Sequence, residues 1–291
     1  MKALEWKGGR METPSFPSFN LPAFSAKDAR DNHGSVEVLD VQNLCKSFGK
    51  KSFFTELTFQ VPAGECLVLL GRNGAGKTLL LNILATLVEP TSGTVSMAGV
   101  DAFGNLKQVR PSIGYIPVTF DGYPELTVVD YLNFFAAAYK LEKRERASAI
   151  DTVLELMDIQ HVRDIKIEVL STGERQRLLF AKTFLHEPQL WLLDEPLAPL
   201  DPGGQVEMLE LIGELRAMDK TVVIATNRLE DVHRLCDTGS QDGTFVGILK
   251  DGQFTEFKKF NELRNENAEA DTADSLSSNW FYEFYLEVTK P

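Results

Sequence analysis

Short runs of branched and aliphatic residues alternate along this chain with longer segments whose apolar residues recur at helical spacing. Seven short runs predict strands, at residues 36–41, 57–61, 65–70, 94–97, 113–116, 190–193 and 222–226. The longer segments predict helices, at residues 77–88, 127–139, 144–157, 171–186 and 205–218. Strands that alternate with helices indicate an α/β fold with a mostly parallel sheet.

Local patterns refine these elements. The run at 94–97 alternates between apolar and polar residues as an edge strand does, whereas the last two runs are continuously apolar, as in strands buried on both faces. The capping-box pattern, in which a hydroxyl residue is followed three positions later by an acidic one, occurs twice, at Thr127 with Asp130 and at Ser171 with Glu174. Two helices are therefore expected to begin at these positions.

The two ends of the chain differ from its middle. Residues 1–35 interleave prolines with phenylalanines, which predicts a flexible extension, with docking of the phenylalanines on a partner as the alternative. From about residue 259 the chain is acidic and poor in apolar residues, which predicts a linker. The aromatic stretch at 280–286 is expected to fold back on its own domain as a strand, or else to contact a partner protein.

Residues 71–78 form a complete Gly-x-x-x-x-Gly-Lys-Thr phosphate-binding loop between a predicted strand and a predicted helix. Its glycines let consecutive backbone N–H groups face phosphate oxygens at a helix N-terminus, where the helix dipole favours negative charge. Lys77 can then reach the terminal phosphates, and the Thr78 hydroxyl can ligate Mg²⁺. The predicted nucleotide-binding residues of the loop are Gly71, Arg72, Asn73, Gly74, Ala75, Gly76, Lys77 and Thr78.

A second candidate element for the same site follows far along the chain, where the predicted strand 190–193 ends in Asp194 and Glu195. Asp194 is expected beside Thr78, where it can orient magnesium-bound water, and Glu195 near the terminal phosphate, where it can polarise the attacking water. Together with the complete loop, the pair indicates a nucleoside triphosphatase that uses magnesium.

Composition limits the remaining possibilities. A chain of 291 residues, 43% of them hydrophobic, can bury one α/β core, and its formal charge of −12 argues against nucleic acid as a partner. The three cysteines are widely separated and are expected to be buried thiols in a reducing compartment. The chain contains no apolar run long enough to cross a bilayer, and its N-terminus lacks the apolar segment of a secretion signal. We therefore expect a cytoplasmic protein.

Further motifs, in the right order, give residues 36–258 a resemblance to the nucleotide-binding subunit of ABC transporters. Residues 170–177, Leu-Ser-Thr-Gly-Glu-Arg-Gln-Arg, resemble the Leu-Ser-Gly-Gly-Gln signature of that family. Residues 198–201, which end in Asp201, resemble its D-loop, and Phe48 lies at the spacing of the aromatic residue that stacks on adenine. The resemblance implies that the nucleotide is ATP.

The resemblance also implies an architecture. The expected fold is a P-loop NTPase of the ABC type, with a mostly parallel central sheet, an antiparallel β-subdomain and a helical insertion at about 117–169. The chain would then divide into a flexible extension at 1–35, an ATPase domain at 36–258, and the acidic and aromatic segments at 259–291. Residues 113–117 and the nearby Tyr123 look most like ATPase subunits of two-component exporters for drugs, lipids or polysaccharides.

In this family two subunits pack head to tail, so the resemblance implies a dimer with itself or with a homologous ATPase subunit. Ser171 and Gly173 of one subunit, with Glu174 at the last signature position, would close over the γ-phosphate held by Lys77 of the other. Asp201 of the D-loop would also lie at the nucleotide. The dimer would drive a separate membrane permease and be peripheral on the inner face of the cell membrane.

Several positions depart from the family pattern. Val118 stands where the family usually has a glutamine, and Asn227 stands where its switch histidine is expected, so Asn227 can donate a hydrogen bond to the γ-phosphate but cannot become a cation. In the signature, Thr172 replaces a glycine and Glu174 a glutamine. A carboxylate at 174 could repel phosphate, or could point back to the Ser171 N–H as part of its capping box.

These departures leave two functions open. The first is an ATPase that energises an exporter, with slow hydrolysis carried by Glu195 and Asn227. The second is a structural or regulatory subunit that binds ATP in a degenerate site and pairs with an active homologue. A third reading, a soluble ABC protein that acts on DNA or ribosomes, fits less well because such proteins usually join two ATPase units or carry a long coiled coil.

Overall fold

The computed structural model describes residues 37–120, 122–236, 243–270 and 280–290. The expectations for residues 1–35 lie outside these residues. Strands within them are β1 (Glu37–Phe48), β2 (Lys51–Pro62), β3 (Cys66–Leu70), β4 (Ser92–Met97), β5 (Val100–Asp101), β6 (Ile113–Ile116), β7 (Leu190–Asp194), β8 (Thr221–Thr226), β9 (Thr244–Lys250) and β10 (Gln253–Lys259).

The helices lie between the strands and after the last of them. They are α1 (Lys77–Leu84), α2 (Leu106–Val109), α3 (Val128–Ala138), α4 (Lys143–Leu156), α5 (Thr172–Phe184), α6 (Pro202–Ala217), α7 (Leu229–Cys236), α8 (Phe260–Ala270) and α9 (Trp280–Val288). Three single 3₁₀ turns connect them, at Arg110–Ser112, Gln160–Val162 and Ile167–Val169. In the described part of the chain, no helix is both long and apolar enough to cross a membrane.

The larger sheet confirms the predicted parallel core. Its six strands run in the order β10, β9, β3, β8, β7, β6, and every neighbouring pair is parallel except β9 with β10. Strands β3, β7 and β8 are buried along their whole length, as expected for strands covered on both faces. Their carboxyl ends therefore meet at one edge of the sheet.

The smaller sheet is antiparallel, with strand order β2, β1, β4, β5, which confirms the expected β-subdomain. β1 and β2 are 12 residues each, longer than the apolar runs predicted, because β-bulge shifts in their register let polar residues continue the pairing. β4 was predicted as an edge strand, but it lies between β1 and β5. β5 has only two residues and offered no apolar pattern to predict it.

Two hydrophobic cores hold the layers together. One lies between the two sheets and includes α1, with Phe54, Leu69 and Leu81 among its buried side chains. The other lies under α3, α4 and α5 and extends to the opposite face of the larger sheet, where Trp191 stacks on Phe180 with ring centroids 5.9 Å apart. The expected helical insertion is therefore present, and it shares a continuous core with the sheet.

Both predicted capping boxes begin helices. The Thr127 hydroxyl accepts a hydrogen bond from the Asp130 N–H before α3, and Ser171 and Glu174 cap each other reciprocally before α5. Two predicted helices end earlier than expected, at Leu84 and Phe184. For α1 the reason is Thr86, whose φ of 58° lies in the left-handed region and cannot continue a right-handed helix.

The C-terminal part differs most from the sequence prediction. Residues 260–270 form helix α8 where the sequence predicted a linker, because Phe260 and Leu263 are buried in the core. The strand predicted for 280–286 is wrong, since these residues belong to helix α9. The stretch does fold back: Trp280 and Phe281 are buried, and their rings lie 5.8 and 5.4 Å from the His233 ring of α7.

The docking of α9 gives a test of this packing. Phe281 is 1% exposed, whereas the neighbouring Tyr282 is 47% exposed. Phe281→Ala should lower the free energy of unfolding by about 3 to 5 kcal/mol because it leaves a cavity in the core. Urea unfolding measures the change, with Tyr282→Ala as the matched control that should stay close to the unchanged protein. Equal stability of the two variants would contradict the docked position of α9.

Candidate nucleotide-binding site

The phosphate-binding loop connects β3 to α1 at the carboxyl edge of the larger sheet. Gly76, the N-cap of α1, has a φ of 103°, which side-chain-bearing residues rarely adopt. At Gly71 a Cβ atom would lie 2.7 Å from the Leu249 carbonyl oxygen, so the start of the loop is packed against β9. These two glycines let the backbone turn tightly and present its N–H groups at the start of α1.

Lys77 lies at the centre of the site. Its side chain is only 7% exposed, and its Nζ donates to the carbonyl oxygens of Gly71 at 2.8 Å and Arg72 at 3.4 Å. The same nitrogen is 3.6 Å from Glu195 Oε1. Burial lowers the pKa of Lys77, and the charges of Glu195 and Asp194 act against that shift. The ammonium group is thus held by acceptors that a phosphate could replace.

Asp194 ends β7 and is 1% exposed. Both of its carboxylate oxygens are buried without a hydrogen-bond partner in the part of the chain that the structure describes. Burial raises the pKa of Asp194, while the nearby Thr78 hydroxyl and Lys77 ammonium act in the opposite direction. A buried carboxylate with free lone pairs beside a hydroxyl fits Mg²⁺, which binds through one or two such oxygens and keeps waters and substrate phosphates as its other ligands.

Glu195 follows β7 with a φ of 50°, a left-handed conformation that costs energy and aims its carboxylate at the loop. The carboxylate accepts a hydrogen bond from the Asn227 N–H at 3.2 Å and pairs with Lys77. Burial raises the pKa of Glu195, and the Lys77 charge is the largest opposing influence. The structure therefore brings this predicted base to the phosphate loop.

Asn227 and Val118 follow two other strands of the same sheet edge. Asn227 comes directly after β8, and its Nδ2 donates to Asn73 Oδ1 of the loop at 2.6 Å. Val118 comes shortly after β6 and is 41% exposed. Strands β3, β8, β7 and β6 are parallel neighbours, so the residues that follow them converge at one crevice. Asn227 reaches the loop with an amide, whereas Val118 offers only an apolar side chain.

The other predicted site residues lie apart from the loop in this single chain. Ser171, Gly173 and Glu174 lie at the start of α5, and Asp201 is the N-cap of α6, where it accepts from the Gly204 N–H at 2.9 Å. In the described ranges, no hydrogen bond or ion pair joins any of the four to residues 71–78.

Phe48, at the end of β1, is 52% exposed, and its ring is flanked by Phe53 at 5.5 Å and by Lys46 Nζ at 4.6 Å. An exposed aromatic ring beside a cation offers a face on which a base could stack. Its predicted contact with adenine stays a prediction.

Two neighbours of the site were not predicted from the sequence. His161 Nε2 lies 3.1 Å from Glu174 Oε1, although no motif joins the 160–162 turn to the signature. Burial raises the pKa of Tyr285 of α9, and the Arg72 guanidinium of the loop acts in the opposite direction. The four aromatic residues at 280, 281, 284 and 285 and the valine at 288 share one helical face, a signal that could have placed this helix.

Comparison with known proteins places this chain in a family. The family model described as ABC transporter matches residues 54–198. An uncharacterised ABC transporter ATP-binding protein of Methanocaldococcus jannaschii is 35% identical over 237 residues, which cover 81% of this chain and 83% of that protein. The Nod factor export ATP-binding protein I of Mesorhizobium japonicum is 32% identical over 228 residues, covering 78% of this chain and 67% of that protein.

Solved structures show the same fold. The structure of an ATP-binding subunit of an ABC transporter is similar with a TM-score of 0.74 and 28% identity, covering 87% of this chain and all of that chain. The structure of cbiO1 from Clostridium perfringens, part of an ABC transporter complex, is similar with a TM-score of 0.67 and 26% identity, covering 79% of this chain and 91% of that one. The chain therefore belongs to the ABC transporter ATP-binding proteins, whose ATPase cassettes bind and hydrolyse ATP, dimerise and pair with membrane permease components.

Proposed function

We propose that this chain is the ATP-binding and hydrolysing subunit of an ABC exporter. The observation that carries the proposal is the convergence of Lys77, Asp194 and Glu195 at the carboxyl edge of the parallel sheet. Export in particular is supported by the similarity to a Nod factor export protein. The 1–35, 36–258 and 259–291 division, with a helical insertion at 117–169, is proposed as its domain organisation.

The residues of the loop would divide the work of holding ATP. The backbone N–H groups of residues 71–78 and the Lys77 ammonium would bind the phosphates, and Thr78 and Asp194 would hold Mg²⁺. The bound Mg²⁺ would neutralise charge on the phosphate oxygens. Glu195 would accept a proton from the attacking water. Because Lys77 pairs with Glu195 at 3.6 Å in the structure, arrival of the phosphates would draw the ammonium towards them and release the carboxylate for this role.

The signature would act across a head-to-tail dimer of this chain with itself or a homologous ATPase subunit. Ser171 is exposed, and a Cβ atom at Gly173 would meet no atom closer than Leu200 Cδ2 at 4.0 Å, so the start of α5 is open to a partner. Its N–H groups and helix dipole favour a phosphate brought by the loop of the other copy. Closure would then move a separate permease, which would hold the subunit at the inner face of the membrane.

A second function is favoured by Val118 and by the amide contact between Asn227 and Asn73. Val118 cannot ligate a metal or hold the attacking water, and Asn227 cannot carry a positive charge. In this alternative the chain binds ATP and dimerises as a structural or regulatory subunit, while an active homologue performs hydrolysis. The two functions differ in one property, the turnover of ATP by the purified chain.

The first test concerns Glu195. Replacing it by glutamine should lower magnesium-dependent ATP hydrolysis by about 10²- to 10⁴-fold, because the general base is lost while the shape of the side chain is kept. ATP binding, measured by calorimetry, should remain. Glu214→Gln, an exposed carboxylate on α6, is the matched control and should keep full activity. Tight binding without hydrolysis in the unchanged protein would favour the alternative function, and full activity of Glu195→Gln would contradict the role of this base.

The second test restores the usual family residues at the two positions where this chain departs from the pattern. The double variant Val118→Gln with Asn227→His should raise the hydrolysis rate by up to about 10²-fold, because each added group can stabilise charge or position water at the phosphate. Steady-state phosphate release measures the effect, and Val206→Gln, another half-exposed valine, controls for the change in surface polarity. A rate equal to that of the unchanged chain would show that the site does not use these positions.

A further inference from the structure

The Glu174 carboxylate at the start of α5 has both of its oxygens in use. Oε2 accepts hydrogen bonds from the Ser171 N–H at 2.8 Å and from the Ser171 hydroxyl at 2.7 Å. In return, the Ser171 oxygen accepts from the Glu174 N–H at 3.3 Å. Oε1 lies 3.1 Å from Nε2 of His161, which belongs to the 3₁₀ turn Gln160–Val162. The hydroxyl of the signature serine is therefore committed to a carboxylate, which is itself shared with a histidine.

His161 is the side chain that contacts Oε1 of this carboxylate in the described structure. The two hydrogen bonds from Ser171 lower the pKa of Glu174, burial acts in the opposite direction, and the hydrogen bond and charge interaction with His161 lower the pKa further. The other charged groups nearby are engaged elsewhere. Arg175 donates to the Glu168 carbonyl, and Arg177 donates to the Met157 carbonyl and pairs with Glu207. Arg163 pairs with Asp151. Lys166 pairs with Glu125 and Glu168.

The cluster is accessible from solvent. The side chain of Glu174 is 25% exposed and that of His161 is 63% exposed, and Ser171 is exposed as well. A partner's phosphate can therefore approach Ser171, and the proton on His161 can exchange with solvent.

The hydrogen bonds of Ser171 conflict with the role proposed for it. To bind the γ-phosphate of the partner copy, the hydroxyl must turn its proton away from Glu174. The carboxylate and the phosphate are both anions that favour the same helix N-terminus, so they repel each other there. Something must compensate the charge of Glu174 when the dimer closes.

We propose that His161 and Glu174 are positioning residues that make closure of the nucleotide-bound dimer depend on protonation of His161. A protonated His161 compensates the charge of Glu174 through Oε1, which weakens the hydrogen bond from the Ser171 hydroxyl to Oε2 and lets the hydroxyl turn to the phosphate. With His161 neutral, the carboxylate keeps its full charge beside the phosphate and opposes closure. This inference rests on the proposed head-to-tail dimer.

The direction of the pH dependence follows from this linkage. Closure favours the protonated histidine, so it takes up a proton, and the dimer should become tighter as pH falls. A charge at a helix terminus changes affinity by about two- to fivefold, and the two composite sites of a dimer would multiply this to about 4- to 25-fold.

The experiment uses the full chain with Glu195→Gln, which should trap the ATP-bound dimer. Sedimentation velocity gives the dimer dissociation constant in Mg-ATP between pH 6 and 8.5 for this parent and for three variants of it. Glu174→Gln should tighten the dimer at high pH and flatten the profile, because glutamine can still cap the helix without the charge. His161→Gln should hold the affinity near the high-pH value of the parent throughout. Asp158→Asn, an exposed carboxylate in the same region that retains its left-handed backbone, should keep the slope of the parent.

The comparison among variants separates this proposal from a structural role. Protonation of ATP itself is common to all four proteins, so only the difference between their profiles reports on the His161 and Glu174 pair. Parallel profiles in all four, with unchanged melting temperatures, would overturn the inference while leaving the dimer intact. ATP binding without a dimer in any variant at any pH would overturn the head-to-tail arrangement and this inference with it.

Discussion

The buried ion pair between the Lys77 ammonium and the Glu195 carboxylate, under the electrostatic influence of Asp194, is the interaction on which the site depends. It exists because β3, β7 and β8 are parallel neighbours, so that the residues after each strand reach the same edge. Burial lowers the pKa of the lysine and raises those of both acids, and their mutual attraction opposes these shifts. Such a cluster can exchange one anionic partner for another, which is what binding and release of a triphosphate require.

The same chain carries a second surface, the start of α5, that does not contact its own phosphate-binding loop through a polar interaction in the described residues. The start of α5 is exposed and capped by its own Glu174, with no polar contact to residues 71–78 among the described residues. Two separate half-sites on one chain are explained by a head-to-tail pair, in which each loop meets the signature of the other copy. According to the proposal for His161, the loop of one copy and the signature of the other then meet more readily when this histidine is protonated.

Local motifs in the sequence predicted much of the fold and of the loop. The phosphate-binding loop, the buried strands and both capping boxes depend on residues close together in the chain, and the structure has them where expected. Three features depended on tertiary contacts. The pairing of Glu174 with His161 requires the 160–162 turn to pack on α5. The left-handed backbone of Thr86 ends α1 early. The aromatic residues of α9 are typical of strands, but they follow the helical period that buries Trp280 and Phe281.

Mixing two inactive variants tests most directly whether the ATP site is built across two copies. One chain would carry Lys77→Ala and the other Ser171→Ala, so each is expected to be inactive alone. A mixed dimer has one site with both defects and one with neither, because the intact loop of the second chain meets the intact signature of the first. ATP hydrolysis that appears only on mixing is the predicted result. No activity on mixing, with hydrolysis present in the unchanged chain and dimers shown to form, would contradict the head-to-tail site.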